Sequence, residues 1–450
     1  MNPGSAEIEL KFLCDPADLT AILAAAPTGE TVCKDQVSTY FDTPAGDLKA
    51  KRISLRIRES RGKRIQTLKR GDGFARDEHE LAVAGEALDL TMAALKEALP
   101  PAKRKTLAPV FTVRVRREQR TFVYDGATIE MAVDQGEVLA GGRTKAISEV
   151  ELELKAGDCA PLFALARELS RIAPLYLSFD GKAAQGQALR EGAELAPRHH
   201  DKAPLAHGLD AAGAFQAIAR NALNQIAANG VVLLLADDPE AVHQLRVAVR
   251  RLRSALSTFK DVARDDRRDH IATELKWLAR ALDEARDLDV FAGDNAALDT
   301  HGLDLADLTP LVEDARRKGH AKAGAAVASG RFRDLVLDAT AWVETGPWLT
   351  AGGKAARKRR EASVEAFAAE ALDRRRKSLL KRGRDLKALD DAARHEARIA
   401  AKKLRYTAEA FAPLFDPGQA RAFIRNLKRL QDQLGALNDG AVAAELVERL

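Results

Sequence analysis

Residues 7–12 read Glu7-Ile8-Glu9-Leu10-Lys11-Phe12, a strict alternation of charged and apolar side chains. A period of two marks a strand whose two faces meet different surroundings. Its polar face presents two carboxylates and an ammonium, spaced about 7 Å apart at roughly 3.3 Å per residue. Solvated strand faces usually mix Thr, Ser and Lys. This one lines up Glu, Glu and Lys, and it has company downstream.

Seven further stretches carry the same period: STYFDT (38–43), ISLRIRES (53–60), RIQTLKR (64–70), RDEHELAV (76–83), FTVRVRRE (111–118), TIEMAVDQGEV (128–138) and SEVELELK (148–155). With the opening stretch they predict eight strands in an antiparallel sheet or barrel, interrupted by helical patterns over 15–26 and 90–99. Their charges are sorted by strand. Arg56 and Arg58 alternate with Leu55 and Ile57, and Arg114 and Arg116 alternate with Val113 and Val115. Glu149, Glu151 and Glu153 alternate with Val150, Leu152 and Leu154, and Arg76, Glu78 and Glu80 share one face. Like charges on one strand face repel. Either the charged faces point outward as a salt-bridged surface, or they point inward and line a channel. Buried charges need partners. A channel with both signs suits a polyphosphate with its divalent cation, since carboxylates take hard cations and guanidiniums take phosphoryl oxygens. The residues alone leave both readings open.

At 450 residues, 46% hydrophobic and 30% charged, the chain has room for two or three globular domains. Its three cysteines, Cys14, Cys33 and Cys159, form no CxxC pair, which predicts free thiols in a reducing compartment. No apolar run is long enough to span a membrane and no signal-peptide pattern opens the chain, so the expectation is a cytoplasmic protein. Residues 198–450 carry 43 Lys or Arg against 37 Asp or Glu, whereas residues 1–197 carry 28 against 29. The basic excess of the second half points to an anionic partner.

The period changes at a Pro- and His-containing linker, APRHHDKAP (196–204), after which the pattern is helical throughout. VHQLRVAVRRLRSALSTF (242–259) aligns without a gap on RHEARIAAKKLRYTAEAF (394–411) at an offset of 152. The same offset matches Leu275–Asp287 with Leu427–Asp439, so that Lys276 falls on Lys428, and Phe215 on Phe367. One offset shared by separate segments indicates a duplication into two similar bundles, about 210–350 and 360–450. His243, Arg246, Arg250 and Arg253 stand at i, i+3, i+7 and i+10, a single helical stripe, and His395, Arg398, Lys402 and Arg405 repeat it. Arg251 and Lys403 lie alongside. Such a column of cations repels itself and calls for an anion or for facing carboxylates, with Asp287, Asp289 and Asp439 the candidates. A solvated basic face is the alternative, and nucleic acid the alternative anion.

Residues 7–182 resemble a CYTH domain of the triphosphate tunnel metalloenzymes, through Glu7-x-Glu9-x-Lys11, LRIR (55–58), Lys69, RDEHE (76–80), the Arg-rich strand at 114–117, IEMAVDQGE (129–137), VELEL (150–154) and Lys182. Residues 210–450 resemble a CHAD domain, with His243 and His395 at its naming positions, and this order of domains is similar to that of bacterial inorganic triphosphatases. The resemblance implies an α+β protein: an eight-stranded antiparallel tunnel over 1–196, a linker over 197–209 and an all-α domain over 210–450. It implies that Lys11, Arg56, Arg58, Lys69, Arg114 and Lys182 hold phosphoryl oxygens, with Arg116 and Arg117 beside Arg114. Simple alternation turns Arg117 away from Arg114 and Arg116, which leaves that register open. Glu7, Glu9, Glu151 and Glu153 would hold Mg2+ or Mn2+, backed by Glu149, Glu78, Glu80 and Asp134. The basic stripes, with Lys276 and Lys428, would bind inorganic polyphosphate, and association with polyphosphate granules would follow. The implied activity is metal-assisted hydrolysis of inorganic triphosphate. Thiamine triphosphatase, adenylate cyclase or a non-catalytic scaffold are the alternatives. Tyr40, Phe74 and Phe122 are the aromatics available to stack a base.

Overall fold

The computed structural model describes residues 7–71, 75–193, 195–199, 205–236, 238–294, 305–384 and 390–449, and divides into two compact units, Met1–Ala196 and Pro197–Leu450. The first is built on nine strands: β1 (Glu7–Leu13), β2 (Glu30–Asp42), β3 (Ile53–Ser60), β4 (Lys63–Arg70), β5 (Ala75–Val83), β6 (Ala108–Tyr124), β7 (Ala127–Ala140), β8 (Arg143–Ala156) and β9 (Tyr176–Ser178). They are ordered β5-β4-β3-β2-β6-β7-β8-β1-β9. β1 also meets β5 through Glu7↔Arg76 and Ile8↔Ala75, so among the described residues eight strands come round to one another through two residue pairs. The ninth strand corrects the expected eight. It is three residues long, too short for a period-two signal, and it pairs with Lys11–Leu13 beside that closure.

Among the described residues six helices accompany the sheet: α1 (Leu19–Ala25), α2 (Asp47–Ala50), α3 (Ala93–Ala98), α4 (Pro101–Arg104), α5 (Ala160–Ile172) and α6 (Lys182–Glu191). The alternation decides what they cover. Leu55, Ile57 and Leu68 form one core with Leu48 of α2 and Leu95 and Ala98 of α3. The apolar sides of β3 and β4 therefore face outward onto helices, and their charged sides face inward. The STYFDT motif has a structural share in this. The buried Asp42 carboxylate accepts backbone N–H bonds from Thr43 (2.7 Å), Leu48 (2.9 Å) and Lys49 (3.1 Å), fixing the start of α2.

One end of the interior is apolar. Tyr40, Phe111, Val113, Val115, Val138, Ala140 and Ile147 form a core with Leu189 and Ala183 of α6, which fills that end. The fit is close at Gly186, where a Cβ would lie 2.2 Å from the Phe111 ring. Gly186→Ala is expected to lower stability by about 1–3 kcal/mol through overpacking. Urea unfolding measures this, and an unchanged midpoint would refute the close fit.

The second unit is helical: α7 (Ala211–Ala236), α8 (Pro239–Thr258), α9 (Asp266–Asp294), α10 (Leu305–Ala328), α11 (Gly330–Thr345), α12 (Lys354–Arg360), α13 (Val364–Arg382), α14 (Asp391–Phe411) and α15 (Pro417–Arg449). The 152-residue offset carries α8 onto α14, including its cap. Asp238 accepts from the Glu240 N–H at 2.8 Å, and Asp390 accepts from the Ala393 N–H at 2.7 Å. Four phenylalanines related by the offset meet in one cluster. Phe259 stacks on Phe367 at 4.6 Å between centroids, with Phe215 5.4 Å from Phe259 and Phe411 6.1 Å from Phe367. No described helix is long and apolar enough to cross a membrane.

Candidate active site and basic helical faces

Strand alternation brings Asp134 of β7 and Glu149 and Glu151 of β8 to the inner face. One oxygen from each lies within 4.8 Å of the others, and all three residues are buried. Three cations enter this cluster. Lys182, the first residue of α6, places Nζ 2.7 Å from oxygens of Asp134, Glu149 and Glu151 alike. Lys11 Nζ lies 2.8 Å from Glu151 and 2.5 Å from Glu9. Arg117 donates to both Asp134 oxygens, at 2.7 and 2.6 Å, and to Glu151 at 2.5 Å. Gln185 donates to the second Glu149 oxygen. Four carboxylates, Glu9 among them, against three cations explains how a single-signed strand survives burial.

Burial pushes the Glu151 carboxyl up, but Lys11, Lys182 and Arg117 overcome this and hold it well below the usual carboxylate range. Asp134 is likewise lowered against burial by Lys182 and Arg117. Burial works against the charge of Lys182, yet Glu149, Glu151 and Asp134 hold the ammonium well above its ordinary value.

Beside the balanced cluster stands a cationic wall. Among the described residues, Arg56 and Arg58 of β3 each have a buried Nε with no hydrogen-bond partner. Arg56 donates to the Tyr40 hydroxyl at 3.3 Å. Burial, with repulsion from Arg56 and Arg117, brings Arg58 down to about 10. Lys69 faces Glu78 at 3.2 Å, while Glu80 is exposed and accepts from Thr67 at 3.2 Å. Glu153 pairs with Lys155 at 2.7 Å, and Lys155 lies 3.6 Å from Glu130.

Two expected phosphate ligands are misplaced by the sequence reading. Arg114 and Arg116 lie on the outer face and are exposed, Arg114 only 3.7 Å from the outer Glu137. The inner positions of β6 are Phe111, Val113, Val115 and then Arg117, so the single inward arginine is the one that alternation separates from the pair. Tyr40 is not placed to receive a base: it is buried and stacked on Phe111 at 4.6 Å, beside α6. Phe122 is buried on the outer parity of β6. The side chain of Glu7, and Phe74, lie outside the described residues. Sequence reading missed Lys34, which pairs across strands with Arg117. Burial and Arg117 lower its pKa. The even positions 34, 36, 38 and 40 of β2 were the available signal, hidden by their mixed polarity. It also missed Gln185, Glu130 and Lys155.

Hard oxygen donors are what Mg2+ and Mn2+ take, so the Asp134–Glu149–Glu151 set fits such an ion.

In the helical unit the basic stripes are partly neutralised. Arg246 pairs with Asp283 at 2.7 Å and Asp287 at 3.4 Å. Asp289 faces elsewhere, 3.1 Å from Arg316 and 3.0 Å from His320 of α10, and the Asp439 side chain lies outside the described residues. His243 is half-buried, and burial together with Arg286, Arg250 and Arg246 lowers its pKa, favouring the neutral ring. Arg253, Lys276, His395, Lys403 and Lys428 are exposed, and Arg398 and Lys402 are partly buried. The two stripes converge where the guanidiniums of Arg250 and Arg405 lie over the Tyr406 ring, at 4.9 and 4.5 Å. There Arg251, 3.0 Å away, shares Glu409 with Arg405.

The CHAD domain model matches residues 217–448, and the CYTH domain model matches residues 5–186. An inorganic triphosphatase of Haemophilus influenzae is 31% identical over 193 residues, covering 41% of this chain and 54% of that protein. The chain thus spans about half the length of this curated relative. The crystal structure of the CHAD domain from the plant Ricinus communis is 35% identical, covering 56% of this chain and 83% of that one, with a TM-score of 0.50. HpAC1 from Hippeastrum, described with a dominant triphosphatase activity, is 20% identical, covering 43% of this chain and all of that one, with a TM-score of 0.33. The chain belongs to the CHAD domain family, with a CYTH domain at residues 5–186 preceding its CHAD domain at 217–448.

Proposed function

We propose that residues 1–196 hydrolyse inorganic triphosphate to pyrophosphate and phosphate with Mg2+ or Mn2+. Residues 210–450 bind inorganic polyphosphate, and 197–209 connect the two. The observation that carries the reading is the buried Asp134–Glu149–Glu151 cluster beside two guanidiniums whose Nε atoms lack partners. These carboxylates, with Glu9 and Glu153 on the same inner face, would hold the divalent ion. The ion supplies Lewis-acid polarisation of a phosphoryl oxygen. Arg56, Arg58 and Lys69 hold the remaining phosphoryl oxygens and offset the charge that develops on the departing pyrophosphate. Lys11, Lys182 and Arg117 fix the carboxylates and reach the same oxygens. A carboxylate of the cluster orients the attacking water in line with the leaving group.

The burial of Tyr40 against Phe111 supports the inorganic substrate over thiamine triphosphate or ATP, because it withdraws an aromatic that could stack a base. A cytoplasmic setting with polyphosphate granules suits the second activity. Phosphate release from tripolyphosphate, thiamine triphosphate, ATP and long-chain polyphosphate, each with Mg2+ or Mn2+, tests the reading. Tripolyphosphate is expected to turn over fastest. Faster release from either organic triphosphate overturns the substrate, and displacement of bound polyphosphate by duplex DNA at physiological salt overturns the second assignment.

A further inference from the structure

A groove of about 410 Å³ lies between the end of α14 and the first turns of α15. Its charged lining is Arg251, Arg405, Arg421, Arg425 and Lys428, against the single carboxylate of Glu409. Arg251 and Arg405 already share that carboxylate. Arg421, Arg425 and Lys428 stand at i, i+4 and i+7 on one face of α15, and among the described residues none has an ion-pair partner. The groove therefore carries an uncompensated positive stripe. Burial and the proximity of Arg405 also depress the Arg251 guanidinium, with Glu409 opposing.

The floor is of another kind. Pro413, Phe415 and Ile424 line it, and Phe415 is 42% exposed. A bare inorganic polyphosphate gains nothing from an apolar floor. A ligand with a flat apolar body and a phosphate tail uses both walls, and the volume is in the range of small-molecule sites. A solvent-facing aromatic ring beside several guanidiniums is the combination that receives a base and its phosphates.

We propose that this groove is a nucleotide site, with the base stacked on Phe415 and the phosphates held by Arg421, Arg425 and Lys428. The assignment stands apart from polyphosphate binding, although Arg251, Arg405 and Lys428 are common to both.

Calorimetric titration of the full chain and of its Arg425→Ala variant with ADP and, separately, with pyrophosphate tests it; pyrophosphate also enters the tunnel, so the groove's share is the binding that Arg425→Ala removes. In that share ADP is expected to bind about tenfold more tightly than pyrophosphate, the margin of a stacked base. Phe415→Ala should remove that margin while pyrophosphate affinity stays, and Arg425→Ala should weaken both. Because Phe415 is exposed, its replacement should leave the thermal midpoint in place, which circular dichroism checks. Photolabelling with 8-azido-ADP should mark the peptide 412–428, whether or not Phe415→Ala alters folding. An ADP-to-pyrophosphate ratio untouched by Phe415→Ala, or a label outside 412–428, overturns the proposal. Loss of long-chain polyphosphate binding in wild type with ADP binding intact would instead count against the polyphosphate assignment alone.

Discussion

Glu151→Gln is expected to cut tripolyphosphate turnover by about a thousandfold, the scale of removing a preorganised electrostatic group from a buried site. The substitution keeps the side chain's volume, so packing is not the cause. Glu151 is the carboxylate that Lys11, Arg117 and Lys182 all touch. Its loss leaves Arg117 with Asp134 alone and Lys11 with Glu9 alone, and removes one donor of the fitted metal set. Breaking a buried ion pair costs about 3–5 kcal/mol, so the unfolding midpoint should fall as well. The pH dependence has a definite sign. The native carboxyl is held well below its ordinary value, so its contribution is fully present above the unfolded value of about 4.3 and is lost as pH falls through the native one. The stability gap between wild type and Glu151→Gln should therefore close on acidification. Mn2+ affinity by calorimetry provides a readout besides turnover. Wild-type turnover with wild-type Mn2+ affinity would remove Glu151 from the site.

Arg58→Met should move stability and binding in opposite directions. Arg58 is a cation whose Nε is buried without a partner, and burial with repulsion from Arg56 and Arg117 lowers its pKa to about 10. A base whose native pKa is depressed burdens the fold at every pH below that value. The burden lifts only as pH climbs from about 10 toward the unfolded value, well outside the neutral range. Replacing it with an apolar side chain of similar length should stabilise the free protein by about 1 kcal/mol or more. The same change would remove the charge-assisted bond proposed to a phosphoryl oxygen and should raise the KM for tripolyphosphate about tenfold to a hundredfold. Urea unfolding and steady-state kinetics read the two arms. A variant that loses stability and keeps its KM would show that Arg58 serves the fold.

Period-two patterning was enough to put Glu149 and Glu151 on one face of β8 and Lys11 on the charged face of β1, because β8 keeps its acidic residues together through the centre of the sheet; that these faces turn inward was implied by the resemblance and not by the period. It failed on β6 for a physical reason. That strand runs 17 residues, long enough for its inner side to pass from the apolar end under α6 to the charged centre. Val113, Val115 and Arg117 share one side, and a reader who equates polar with inward chooses Arg114 and Arg116 instead. β2 hides Lys34 in the same way, since Tyr40 begins the side that Lys34 ends. In the helical unit the offset of 152 was legible because duplication preserves sequence directly. The partners of the basic stripe were less so. Asp283 and Asp287 meet Arg246, while Asp289 is drawn off by Arg316 and His320 on α10. Period alone does not say which neighbouring helix faces a given carboxylate.

Leu189 and Ala183 of α6 pack into the Phe111 end of the interior. If the proposed hydrolysis takes place beside that filled end, substrate and both products would use the other. A long phosphate polymer would have to enter by its terminus, so attack would be confined to chain ends and internal anhydrides would be spared. Whichever fragment sat deeper would then wait for the shallower one to leave. That would set an order of departure and make the last product a competitive inhibitor of the next round.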